Sequence, residues 1–180
     1  MRILVTGASG SGTTTLGRAL SRELDVAFFD VDDYFWLPTD PPYQHQRDPG
    51  ARLALIAADL GKAPRSVTSG SVINWGMALE DSFSFVVFLA LPAELRLAPL
   101  REREVARFGR ADPKFLDWAA AYDTGHLDVN SRSGDERWIA RRQCPVLCIE
   151  GDSPVAERVA GVTKALSNLP TATAAAEVRR

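Results

Sequence analysis

Several groups of residues in this 180-residue chain have the types and spacing to do chemistry together. The first is Gly7-Ala8-Ser9-Gly10-Ser11-Gly12-Thr13-Thr14-Thr15, spaced G-x-x-x-x-G-x-[ST], with Gly7 and Gly12 as the outer glycines. Glycines so placed let the backbone close round a phosphate and turn several N–H groups toward it. A helix that begins at the end of such a loop adds the positive end of its dipole. Gly7, Ser9, Gly10, Ser11, Gly12, Thr13, Thr14 and Thr15 are therefore candidate phosphate-binding residues, and the Thr14 hydroxyl stands where a phosphate-bound magnesium ion is met. The lysine that usually precedes this hydroxyl is Thr13 here. Binding through backbone amides survives that change, but a point charge at the β- and γ-phosphates is lost. The dinucleotide pattern G-x-G-x-x-G fails, because Thr15 occupies its third glycine position.

The second group is Asp30-Val31-Asp32-Asp33-Tyr34-Phe35-Trp36. A carboxylate at the carboxyl end of a strand in an open parallel sheet faces the ligand crevice. There it can accept a proton from an attacking hydroxyl or hold a magnesium ion. The bland alternative is a solvated turn with an aspartate capping a helix. Tyr34, Trp36 and Tyr43, with Phe35 and Trp75, either line an acceptor pocket or cover the core. His45 and Arg47 either read an anionic acceptor or are solvated. Ser69-Gly70 follows a third apolar run, where Gly70 would allow close approach of a substrate. Nine arginines lie between 96 and 142. The Arg/Glu alternation over 101–104 reads as a solvated helix face.

These residues need elements to position them. Ile3-Leu4-Val5-Thr6 reads as a buried strand leading into the glycine loop, and 13–24 as a helix. Val26–Phe29 is a second strand, followed by a Pro-rich loop over 37–49 of the length and kind that often carries function. A helix is expected over about 48–60, with Leu53, Ile56, Ala57 and Leu60 on one face. It ends at Gly61 and Pro64. Ser66–Ser69 is a third strand, and 72–82 an irregular or briefly helical connection. Residues 83–91 are the most apolar stretch and read as a central parallel strand. Pro92 opens a helix to about 108, which Pro99 should kink or interrupt. Helical pieces near 113–122 and 134–143, a strand at 146–149 and a helix at 154–167 complete the pattern. Strands alternating with helices imply one α/β domain with a parallel sheet, and 171–180 reads as a frayed tail.

Composition narrows the function classes. A hydrophobic content of 46% supports a real core. A net charge of −2 argues against nucleic-acid binding by general electrostatics. No apolar run approaches the roughly 20 residues of a membrane span. Met1 leads straight into a strand, leaving no room for a targeting peptide, so a cytoplasmic protein is expected. Cys144 and Cys148 flank a strand, too far apart for a disulfide. With only His45 and His126 to add, they make a poor zinc set.

Beyond these readings, the stretches GASGSGTTTLGRAL, FFDVDDYFWLPTDPPY, the SGS after the third strand, VVFLALPAELRLAPLRERE and PVLCIEGDSPV resemble the P-loop kinases of small molecules and nucleoside monophosphates. They resemble most the bacterial adenylate-kinase-like P-loop proteins, and some archaeal members also carry threonines in place of the lysine. The resemblance implies a three-layer sandwich over residues 1–170, with a five-stranded parallel sheet and a helical lid over about 104–143. It implies ATP or GTP with Mg2+, a small-molecule acceptor, and a monomer or homodimer. Asp30 and Asp32 match a D-x-D that serves metal and acceptor hydroxyl, and Asp32 also matches the base of a D-[DS]-[FY]-[FY] run. Asp33, Tyr34, Trp36, Tyr43, Ser69 and Gly70 would then meet the acceptor. Arg101, Arg103 and Arg110 are the arginines expected to close over the transferred group, and Gly151 and Asp152 to touch the nucleobase. The implied reaction is phosphoryl transfer from ATP to a hydroxyl or phosphate. A nucleotide-binding protein with little turnover and a partner-binding module that keeps only the fold are the alternatives.

Overall fold

The five apolar runs form five strands in a computed structural model that describes residues 1–125 and 130–169. They are β1 (Arg2–Gly7), β2 (Ala27–Asp30), β3 (Ser66–Ser69), β4 (Phe85–Ala90) and β5 (Val146–Glu150). All neighbours pair in parallel, in the order β2-β3-β1-β4-β5. Eight helices stand among the described residues: α1 (Thr13–Leu24), α2 (Val31–Phe35), α3 (Pro49–Lys62), α4 (Met77–Glu80), α5 (Ala93–Phe108), α6 (Pro113–Ala120), α7 (Arg132–Ile139) and α8 (Val155–Ser167).

Strand periodicity divides the core in two. Ile3, Val5, Val67, Phe85, Val87 and Leu89 face one side, where Leu16 and Leu20 of α1 and Val162 of α8 cover them. Leu4 and Val86 face the other side, against Ile56 and Leu60 of α3, Leu79 of α4 and Trp138 of α7. The result is the expected three-layer α/β sandwich. The chain steps from β1 outward to β3 and β2 on one flank and β4 and β5 on the other, the arrangement in which open α/β sheets bind ligands outside the carboxyl ends of the central strands. Every candidate loop leaves the sheet at that edge.

One open reading is decided and three local expectations are corrected. The segment after β2 is the short helix α2, started by Asp30, whose carboxylate accepts the Asp32 N–H at 3.2 Å. Pro99 does not interrupt α5. The carbonyl left without its helical donor belongs to Leu95, a residue 44% exposed. The last helical piece before β5 is Arg132–Ile139 rather than 134–143. It is not lid: Trp138 is 3% exposed in the core, and its indole N–H donates to Glu80 of α4 at 2.6 Å. The expected frayed tail at 171–180 and His126 lie outside the described residues.

Candidate active site

The glycine loop joins β1 to α1 with the geometry its spacing implies. At Gly7 a Cβ would lie 2.5 Å from the Leu89 carbonyl oxygen, so no larger residue fits where β1 passes β4. Gly12 caps α1 in the left-handed region, φ 90°, and α1 has no side-chain cap. The Ser11 N–H closes a turn onto the Ala8 carbonyl at 3.0 Å, and the first helical bond runs from Leu16 N–H to Gly12. The N–H groups of Thr13, Thr14 and Thr15 thus have no partner inside the helix. The Ser11 hydroxyl is buried without a hydrogen-bond partner. Free amides and an orphan hydroxyl at a helix start are what an anion would satisfy.

At the same sheet edge, after β2, α2 and the Pro-rich segment form a cleft of about 260 Å³ lined by Asp32, Asp33, Trp36, Tyr43 and Arg47, with Leu37, Pro38, Thr39 and Pro42. The segment is an ordered flap. Leu37 N–H bonds to His45 and Arg47 N–H to Phe35, while the Arg47 guanidinium donates to the carbonyls of Tyr34 (3.0 Å) and Trp36 (3.3 Å). Tyr43 packs against Trp36, with centroids 5.8 Å apart, and its hydroxyl accepts from Arg107 of α5 at 2.9 Å. The cleft is therefore bridged from the flap to the end of α5.

Desolvation pushes the Asp32 carboxyl above its usual range, and the neighbouring Asp30 adds to the effect. Trp36 and Arg103 pull it back. Asp33 is likewise raised, by desolvation and then Asp30, while Arg18 of α1 opposes. Two carboxylates, each with an arginine nearby, thus line the cleft.

Not every candidate is brought to it. The Ser69 side chain is fully buried, its Cβ 3.1 Å from where a Cβ on Gly17 of α1 would sit, so it packs between sheet and helix and does not face an acceptor. Gly70 lies tight against Val31, where its φ of 112° and the close approach require glycine. The Tyr34 hydroxyl is committed to Asp59 of α3 at 3.0 Å, and Trp75 is core, 6% exposed. Arg101 and Arg103 sit about 200° apart round α5, so one helix face cannot present both. Arg103 pairs with Glu104 at 3.3 Å, and of the three it is the one whose charge lowers the Asp32 pKa. Arg101 and Arg110 are exposed and make no hydrogen bond or ion pair among the described residues.

No protein-family model matches the sequence. Over 176 residues the chain is 40% identical to the uncharacterized protein YqaC of Bacillus subtilis (strain 168), covering 92% of this chain and 97% of that protein. The chain belongs to the YqaC family. Its fold is that of the P-loop kinases, as the resemblance implied. A gluconokinase from Sinorhizobium meliloti 1021 superposes with a TM-score of 0.55 at 21% identity, covering 93% of this chain and 94% of that one. A shikimate kinase from Aquifex aeolicus vf5 does so with a TM-score of 0.53 at 17% identity, covering 93% and 96%.

Three further arginines of this YqaC-family chain are placed by the fold around the site. Arg96 of α5 is completely buried and donates to the carbonyls of Ser9 (3.2 Å) and Ala119 (2.7 Å) and to Asp123 (3.1 Å). Arg158 of α8, 7% exposed, donates to Ser11, Gly151, Asp152 and Ser153. Arg52 of α3 lies over the rings of Phe35 (4.8 Å) and Trp75 (4.5 Å). A signal for two of them existed: Arg158 stands four residues before the core residue Val162, and Arg96 four before the buried Leu100, each an arginine on a buried helix face. Gly151, with φ 72°, and Asp152 follow β5, tied by Arg158 to the loop after β1. Cys144 and Cys148 are free thiols. Among the described residues no helix is long and apolar enough to cross a membrane.

Proposed function

We propose that this chain is a small-molecule kinase, transferring the γ-phosphoryl group of ATP or GTP to a small acceptor in the cytosol. The observation that carries the reading is the placement, at the same edge of one sheet, of an uncapped glycine loop and a cleft lined by Asp32 and Asp33. The fold shared with gluconokinases and shikimate kinases supports it.

In this reading the amides of Gly7–Thr15 hold the phosphates, and Gly151 and Asp152 border the base. The donors suit magnesium: hydroxyl and carboxylate oxygens from Thr14 and Asp30, with Asp32 close by. Among the described residues no cluster of three or more His, Cys, Asp or Glu side chains forms a cage for a metal ion. That agrees with magnesium at phosphoryl-transfer sites, which takes one or two protein ligands and otherwise phosphate and water. When bound it supplies charge neutralisation across the phosphates. Asp32 accepts the acceptor hydroxyl proton as that oxygen bonds to the γ-phosphorus and the bond to the β–γ bridging oxygen breaks. Arg103 faces the charge that develops. A cleft of about 260 Å³ falls below the roughly 300–1,000 Å³ of larger ligand sites. It suits a compact hydroxyl compound, and the nearby arginines 47, 103 and 107 favour one that is anionic.

Thermal unfolding with Mg-ATP or Mg-GTP tests the binding half. At a hundredfold excess over Kd, binding contributes about 2.7 kcal/mol, a Tm rise of roughly 5–10 °C for a chain of this length. No shift with either nucleotide refutes the reading. Label transfer from γ-labelled ATP to a panel of sugar acids, hydroxy acids, nucleosides and nucleotides tests the chemistry. Thr13 in the lysine position favours one second reading, a nucleotide binder with little turnover. A wild type that binds but transfers to none of the panel, while Thr13→Lys gains transfer, selects it.

A further inference from the structure

Two buried guanidinium groups stand behind the glycine loop, one at each shoulder. Arg158 Nη1 donates to the Ser11 carbonyl at 3.3 Å, and Arg96 Nη1 to the Ser9 carbonyl at 3.2 Å. A trans peptide points its N–H opposite its C=O. Holding the Ser11 carbonyl from behind therefore turns the Gly12 N–H toward the front of the loop, and holding the Ser9 carbonyl does the same for the Gly10 N–H. The peptide between them is oriented otherwise: its Ser11 N–H is already bonded to Ala8. Each arginine thus selects one amide of the concavity.

Arg158 does more than Arg96. Its Nη2 donates to the Gly151 carbonyl (3.2 Å) and Asp152 Oδ1 (3.0 Å), and its Nε reaches Ser153 Oγ (3.4 Å). All three nitrogens are engaged, and a single side chain joins the loop after β5 to the loop after β1. The side chain of its carboxylate partner Asp152 is 67% exposed, so water weakens the neutralisation of an arginine whose own side chain is 6% exposed. Arg158 Nη1 lies 3.6 Å from where a Cβ on Gly12 would stand. Positive charge is thus held immediately behind the amide that faces the ligand, in a loop where Thr13 brings none.

We infer that Arg158 is a positioning residue for triphosphate binding: it presets the Gly12 amide and supplies, from behind the loop, part of the field that a lysine at position 13 would have supplied from the front. This rests on the nucleotide reading above. Arg96 does the same for Gly10 but is bound into the α6 side of the fold, whereas Arg158 couples the phosphate loop to the base loop.

The experiment is a titration of 15N-labelled protein with Mg-tripolyphosphate, which carries the phosphates without the base. In the wild type the Gly10 and Gly12 amide resonances should move at saturation while that of Ser11 stays. In Arg158→Lys, which keeps the charge but cannot make the four contacts, the Gly12 movement should shrink and the Gly10 movement persist. Affinity should fall about tenfold, the worth of one charge-assisted hydrogen bond. Arg158→Met should lose more, and both variants are compared with their unliganded Tm so that a merely structural role is recognised. Folded variants with undiminished affinity overturn the inference. So does a wild type whose Gly12 amide stays still while Gly10 or Thr13–Thr15 move, a result that needs no variant to fold. A wild type that shows no movement with tripolyphosphate and no Tm shift with Mg-ATP or Mg-GTP removes the nucleotide reading and this inference with it.

Discussion

Replacing Asp32 by asparagine separates chemistry from folding. Asp32 lies in the first turn of α2, lines the cleft, and is crowded by Asp30 and Asp33. Its folded pKa is raised, chiefly by desolvation. A carboxyl raised in the folded state is held more tightly protonated there than in the unfolded chain, so its ionisation opposes folding once the pH passes the unfolded value. Asp32→Asn removes that opposition and should raise Tm at pH 7. The same change removes the proton acceptor, which is worth about 10²–10⁴-fold in rate, or roughly 3–5 kcal/mol of transition-state stabilisation. The expected result is a more stable protein with transfer reduced by at least about a hundredfold and nucleotide affinity within about twofold. Damage to the fold cannot give that combination. The assay is label transfer to the acceptor found in the panel, run with thermal unfolding. A companion change, Arg103→Ala, removes a charge that lowers the Asp32 pKa, so the acidic limb of the pH–rate profile should move to higher pH. Undiminished transfer by Asp32→Asn would refute the base assignment, and a limb that moves to lower pH would refute the influence of the Arg103 charge on Asp32.

Two other outcomes are expected. Arg96→Met leaves the Ser9 and Ala119 carbonyls and Asp123 without their buried donor. By analogy with broken buried ion pairs it should cost about 3–5 kcal/mol, visible in urea unfolding. Asp135 of α7 is 4% exposed, and desolvation pushes its carboxyl up to about 6 despite the 2.6 Å hydrogen bond from Tyr122. Stability should therefore be highest while Asp135 is protonated, decline as pH rises from about 4 to about 6, and level off beyond, with a total change of at most about 3 kcal/mol. Asp135→Asn should flatten that part of the curve, and an unchanged slope would assign it to other groups.

Much of the fold was legible because its signals are local. Short apolar runs bounded by turn residues gave all five strands, and the loop from Gly7 to Thr15 is defined by glycine spacing and backbone sterics alone. Asp30, Asp32 and Asp33 were readable as a cluster at a strand end because parallel α/β sheets place ligands there. The sequence leaves the boundary between β2 and α2 open between a catalytic carboxylate and a helix cap because one side chain decides it: Asp30 caps the helix with its carboxylate while still pairing in the sheet.

Tertiary structure decided which side chains look into the cleft. Ser69 and Tyr34 have suitable chemistry and sequence position, but strand alternation turns one toward α1 and a hydrogen bond ties the other to Asp59. Arg101, Arg103 and Arg110 are equivalent as sequence, and the rotation of α5 selects Arg103. Arg96 and Arg158 lie 87 and 147 residues from the loop carbonyls they hold, a separation across which no periodicity carries information. The sequence alone therefore determined that a glycine loop of phosphate-binding spacing, without the usual lysine, joins β1 to α1, because that depends on local backbone geometry. Which charges surround that loop depends on helices packed from the far side of the sequence, and only the folded chain assigns them.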